Sequence, residues 1–290
     1  MGYDEVDVAP KPYSLIESMR DIGYSLETAI ADIIDNSITA EASNIHLRFS
    51  WNNGDPWIAV IDDGVGMSKD ELINAMRFVS TSPTELRDSE DLGRFGLGLK
   101  TASISQCRCL TVFTKKFSQE SCAQWDLDYL STIKNNNWIL KLYKKEAISN
   151  DQLLSIVAKY LHSKPSGTVV FWSRLDRLSK NDREIENAND FDNAINQVRK
   201  HLGLVFHRYL SQKAGKKSTN IFFNEDAIEA FDPFFTSKAA ELRKEEFLYE
   251  NETIKVQPYI LPHHNKVSRY EWKKYSGDRG DLHEQGVYGY

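Results

Sequence analysis

Residues 25–40 read SLETAIADIIDNSITA, and this stretch decides the fold. Ser25 has the hydroxyl that accepts a backbone N–H at a helix start, so it predicts an N-cap. Leu26, Ala29, Ile30, Ile33, Ile34 and Ile38 then recur at helical spacing and define a buried face running to about Ala40. Asp32, Asp35 and Asn36 stand at i, i+3 and i+4, on the face opposite the isoleucines. On their own these three fit an ordinary solvated face. The other reading is a site that handles metal and water, since an Asn amide oxygen suits magnesium and a carboxylate can orient a water molecule.

Moving outward, Pro10 to Gly23 reads as a short helix with Leu15, Ile16 and Met19 on one side. Downstream, Ile45, Leu47 and Phe49 alternate, as do Ile58 and Val60. Asn52-Asn53-Gly54-Asp55 between them is turn chemistry, which predicts a hairpin. Ser68 with Glu71 predicts a capping box and a helix. Ser80 to Gly98 lacks periodicity and reads as a mobile loop. A helix near Leu99–Gln106 follows, then strands near Leu110–Thr114, Ala123–Leu127 and Trp138–Tyr143. A helix over Asp151–Leu161 and a strand over Thr168–Trp172 come next. The Asn- and Asp-rich stretch Ser179–Asn193 reads as a solvated link, and an amphipathic helix is expected over Phe191–Ser211. Strand-like pieces at Asn220–Phe223, Thr253–Ile260 and Gly286–Tyr290 predict the start of a second α+β domain, cut short at Tyr290.

Three further stretches carry chemistry. Asp62-Asp63-Gly64-Val65-Gly66-Met67 follows a strand, and its glycines would let backbone approach a flat ligand while the Asp accepts from an exocyclic amine. Gly93-Arg-Phe-Gly96-Leu-Gly98-Leu99-Lys100-Thr101 is a glycine-rich loop feeding a helix. Its exposed amides and its Lys make an anion site, at a spacing that fits neither a Walker A loop nor a Rossmann fingerprint. Ser166-Gly167-Thr168 opens the strand that follows.

The 290 residues carry 36 Lys and Arg against 42 Asp and Glu, a formal net charge of -6, which disfavours a surface coated in basic charge. Local basic clusters remain at Lys213–Lys217 and Lys266–Lys274, read either as phosphate contacts or as solvated loops. No apolar run reaches membrane length and the first residues lack a signal pattern, so a cytoplasmic protein without membrane association is expected. Cys107, Cys109 and Cys122 read as reduced thiols rather than a zinc site.

Together, in this order, the four motifs resemble the GHKL ATPase superfamily of gyrase-type topoisomerases, heat-shock chaperones, histidine kinases and MutL, over about Tyr13 to Ser173. The stretch from Ile16 through Ser37 is most similar to prokaryotic MORC/MutL-like ATPases. The resemblance implies an α/β fold, a two-layer α/β sandwich of the Bergerat type, binding ATP with Mg2+. It places the general base on Asp32 and the magnesium-binding amide on Asn36. Asp62 would bind adenine, with Gly64, Gly66 and Met67 lining the base and Thr168 holding water beside it. The lid and glycine-rich loop would wrap the triphosphate, which assigns Ser80, Thr81, Gly93, Gly96, Gly98, Leu99, Lys100 and Thr101. Most of the superfamily has Glu where this chain has Asp32, one methylene shorter.

Phe222-Phe-Asn224 followed by Asp232-Pro233-Phe234 resembles the opening of the transducer domain in MutL and MORC proteins, and Gln285-Gly-Val-Tyr288 a later strand of it. The implied plan is an ATP-binding domain over 1–180, a connecting helix region over 181–218 and a transducer-like domain over 219–290. The implied function is Mg-dependent ATP binding and slow hydrolysis that drives a homodimer. A DNA-directed process such as restriction or phage defence would use it, with DNA and a nuclease or helicase as possible partners. The alternatives are a nucleotide clamp that does not hydrolyse, and a heat-shock-type chaperone.

Overall fold

In the computed structural model, residues 4, 6, 8–21, 23–78, 98–134, 137–178, 187–211, 219–249 and 252–276 are described. Short helix α1 (Pro12–Met19) buries Ile16 but leaves Leu15 exposed. Helix α2 (Leu26–Thr39) starts where its cap predicts, with the Ser25 hydroxyl accepting the Thr28 N–H at 3.4 Å. Its isoleucine face sits on strands β1 (Asn44–Ser50) and β2 (Trp57–Asp62), which form the expected antiparallel hairpin with Leu47 opposite Val60. Helix α3 (Lys69–Met76) opens with both halves of the Ser68–Glu71 capping box.

Helix α4 (Gly98–Gln106) runs directly into β3 (Cys107–Lys116), followed by β4 (Gln119–Asp126). Helix α5 (Leu127–Thr132), capped by Asp126, was not expected from the sequence. Strand β5 is confined to Lys141–Tyr143. Trp138, expected within it, instead joins Phe78 and Trp125 in an aromatic cluster with centroids 5.3–6.3 Å apart. Helix α6 (Asp151–Tyr160) and strand β6 (Gly167–Leu175) follow. The single helix expected over 191–211 is two, α7 (Ala188–Val205) and α8 (His207–Leu210), broken at the buried Phe206. Strands β7 (Asn220–Phe223) and β8 (Asp226–Ala227) come next.

These strands build one eight-stranded sheet, ordered β5-β4-β3-β6-β2-β1-β7-β8. Strand β2 lies inside it and is buried on both faces, so its alternation serves two cores. Ile58 and Val60 face the main core, with Ile30, Ile33 and Ile34 of α2 and Phe191, Ile195, Val198 and Leu202 of α7. Ala59 and Ile61 face a smaller core with Phe113, Val169 and Phe171, roofed by Leu153 and Ile156 of α6. The helical layer of the sandwich is therefore on one face, and α6 covers part of the other.

Two compact units divide the chain at Glu229 and Ala230. This corrects the plan read from sequence. Residues 188–210 are not a connector, because the apolar stripe of α7 is part of the main core. Residues 219–229 do not open the second domain, because β7 pairs in parallel with β1, Ile221 opposite Ile45. The second unit holds the pairs β9 (Ala240–Glu241) with β12 (Tyr259–Ile260) and β10 (Glu245–Tyr249) with β11 (Glu252–Val256), then helix α9 (Arg269–Ser276). Asp232 of its D-P-F segment accepts the Phe234 and Thr236 N–H groups at 3.0 Å, and Phe235 stacks on Tyr275 at 4.1 Å.

Candidate functional site: the end of strand β2 and the polar face of helix α2

Asp62 ends β2 with its side chain buried. Its Oδ1 accepts the Gly64 N–H at 2.9 Å and its Oδ2 accepts the Ser37 hydroxyl at 3.1 Å. Burial pushes the carboxyl up to about 6, and those hydrogen bonds, with one from the Thr168 backbone, only partly oppose the rise. Each carboxylate oxygen has two acceptor sites, so acceptor capacity is left for a further donor.

The turn after Asp62 is pressed against neighbouring backbone. A Cβ on Gly64 would lie 2.5 Å from the Ala40 carbonyl oxygen. Gly66 has φ +64, and a Cβ there would lie 2.0 Å from the Lys115 carbonyl oxygen on β3. Glycine is thus required first for packing of the chain on itself, a demand that the ligand-based reading of the spacing overlooked. The Met67 N–H donates to Thr114 Oγ1 at 2.8 Å, and that oxygen is 3.4 Å from Thr168 Oγ1. Asp62, Gly64, Gly66, Met67 and Thr168 therefore converge where β2, β3 and β6 end together.

On α2, Asp32 and Asp35 are half-buried and Asn36 is exposed. Burial, and then the Asp32 charge one turn away, push the Asp35 carboxyl up to about 6. The Tyr24 hydroxyl donates to Asp32 Oδ2 at 2.9 Å. The first residue of α4 is close by, since a Cβ on Gly98 would stand 3.9 Å from the same oxygen. Leu99 packs on the main core.

Lys100 lies differently from its expected phosphate role. It is 1% exposed, its ammonium donates to the Ala75 carbonyl at 2.9 Å, and desolvation lowers its pKa to about 8. Thr101 is buried. Ser80, Thr81, Gly93 and Gly96, with the expected mobile loop as far as residue 97, lie outside the described residues, as do Lys213–Lys217 and Gly286–Tyr290; Gly98, expected to end that loop, instead opens α4. Sequence reasoning missed Ser37, Thr114 and Tyr24. Ser37 could have been found, since it directly follows Asn36 on a helix already singled out, whereas no local pattern marks the other two.

Among the described residues no group of three or more His, Cys, Asp or Glu side chains could hold a metal. A lone exposed amide on α2 suits a magnesium ion that arrives on phosphates and keeps several waters. Among the described residues no helix is long and apolar enough to cross a membrane.

A mixed sheet with helices on one face and this acid-glycine turn at a strand end is an α/β fold of the Bergerat type. Residues 24–168, half of the chain, match the family described as histidine kinase-, DNA gyrase B-, and HSP90-like ATPase, and the chain belongs to that family. It is 34% identical to ATPase morc-1 of Caenorhabditis elegans over 114 residues, 39% of this chain and 13% of that protein. It is 31% identical to MORC family CW-type zinc finger protein 1 of Mus musculus over 149 residues, 46% of this chain and 15% of that protein. Chaperone protein HtpG of Idiomarina loihiensis is 32% identical over 80 residues, 24% of this chain and 13% of that protein. The matched region thus spans less than a sixth of each relative.

Proposed function

We propose that this chain binds ATP with Mg2+ at the end of β2, hydrolyses it slowly, and uses the bound nucleotide as a dimerising switch in a DNA-directed process. The observation that carries the reading is Asp62, a buried carboxylate held by Ser37 and Gly64 with acceptor capacity to spare. Such a group rejects a base that lacks an amine, because its acceptors would be left unpaired. The backbone of Gly64 to Met67 lines the base, and Thr168 completes the polar wall. Asp32 orients a water molecule toward the γ-phosphorus and takes its proton as the new P–O bond forms and ADP leaves. Mg2+, held through Asn36 and the phosphates, supplies charge neutralisation. Lys100 reaches the phosphates only by leaving the Ala75 carbonyl. The similarity to MORC ATPases supports the MORC-like form of the switch and its DNA-directed use.

The test is turnover of ATP by the chain with and without a magnesium chelator, run beside light scattering with a non-hydrolysable analogue. Chelator-sensitive hydrolysis and an analogue-dependent dimer are expected. Tight analogue binding with no hydrolysis over hours would replace the enzyme with a clamp, and an unchanged monomer at saturating nucleotide would remove the dimer switch.

A further inference from the structure

Tyr24 precedes the cap of α2 and belongs to none of the motifs, yet it is tied on three sides. Its ring packs on the main core. Its carbonyl accepts the Gln106 Nε2 amide at 3.1 Å. Its hydroxyl donates to Asp32 Oδ2 at 2.9 Å. Gln106 is buried and lies on α4, the helix that follows the glycine-rich segment.

The proton count fixes the direction of the hydroxyl's bond. A carboxylate only accepts, so the Tyr24 proton goes to Asp32. Asp32 Oδ2 is thus committed, whereas Oδ1 has no hydrogen-bond partner among the described residues. A carboxylate with one oxygen pinned presents the other along a fixed direction. That matters more for an aspartate than for a glutamate, because the shorter side chain has less freedom to search for the water.

We propose that Tyr24 is the positioning residue for Asp32, aiming Oδ1 at the attacking water, and that the Gln106 bond to the Tyr24 carbonyl ties that aim to the position of α4. The inference rests on the hydrolytic reading of the site. It adds a link by which the helix next to the nucleotide loop governs the base. Misplacing a reacting group by a fraction of an ångström lowers rate without lowering affinity.

The experiment is single-turnover hydrolysis of Mg-ATP by the full chain, with analogue affinity measured by calorimetry and folding by thermal melt. Tyr24→Phe keeps the ring and removes the hydroxyl, and should lower the rate about ten- to a hundredfold with affinity changed less than about twofold. Gln106→Leu, which releases the Tyr24 carbonyl from α4, should lower the rate in the same direction. In an Asp32→Ala background Tyr24→Phe should do nothing further, because its effect passes through the carboxylate. An unchanged rate in Tyr24→Phe, or the same loss with and without Asp32, overturns the inference and leaves hydrolysis at this site standing. Should Tyr24→Phe fail to fold, Gln106→Leu decides alone, and an unchanged rate there overturns the link between α4 and the base. Full turnover in Asp32→Ala is a different failure, since it removes the base and the hydrolytic reading with it.

Discussion

Lowering the pH from about 7 to about 5 carries the medium across the point where Asp62 takes up its proton, since burial pushes that carboxyl up to about 6. Nucleotide binding needs the ionised form, because only that form leaves acceptors for an adenine amine. Below the pKa the apparent affinity falls about tenfold per pH unit, so the Kd of a non-hydrolysable ATP analogue should rise roughly tenfold between about pH 7 and about pH 5. The nucleotide-free fold should respond in the opposite sense. An acid whose pKa is higher folded than unfolded gives stability that is present below its unfolded value and lost as pH rises through the folded one. For Asp62 the span is worth at most about 3 kcal/mol. Asp35, also pushed up to about 6, adds to the same limb. The assay is calorimetry with Mg2+ in excess, so that the phosphates stay ionised, in two buffers of different ionisation heat, beside urea unfolding of the free protein. Asp62→Asn should abolish binding while the Asp35 part of the stability profile survives. A Kd that stays flat from about pH 7 to about pH 5, with no buffer-dependent heat, would refute the assignment of Asp62 to the base.

Gly66→Ala should cost about 4 kcal/mol or more, measured by urea unfolding, because a positive φ is combined with a Cβ 2.0 Å from the Lys115 carbonyl. Gly23→Ala also has a positive φ, but nothing lies within 4 Å of its Cβ, and about 1–2 kcal/mol is expected. Similar costs at the two positions would show that the contact with β3 is unimportant. Asp32→Ala should leave analogue affinity within about threefold and lower single-turnover hydrolysis about a hundredfold or more, read by radiolabelled phosphate release.

Local signals were legible wherever one short stretch contained both the cause and its consequence. Ser25 caps α2, Ser68 and Glu71 cap each other, and the Asn52–Asp55 turn joins strands that pair in register. The isoleucine face of α2 was readable because its partners are all apolar. Helix α4 has no such face. Lys100, Thr101, Ser103, Ser105 and Gln106 are all buried, so its polar residues answer to partners such as Ala75 and Tyr24 that lie far away in sequence. For the candidate site, the motifs named Asp62, Gly66 and Thr168, which meet at the strand ends, whereas Thr114 and Tyr24 come in through tertiary contacts that no local pattern marks. Strand β7 was recognised as a strand but given to the wrong unit, because alternation says which residues pair and not with which strand.

That parallel pairing has a consequence for how the molecule comes into being. Asn220 bonds to Asn44 across 176 positions of sequence, whereas the β1–β2 hairpin closes through a short turn. On a ribosome, the outer edge of β1 is therefore finished long before the segment that covers it has been made. Its bare N–H and C=O groups are a template for any other extended chain in the meantime. Contacts that close so large a loop form late and slowly. A fragment cut before Asn220 would keep every motif residue and still carry that open edge, so aggregation during expression is the hazard built into this topology.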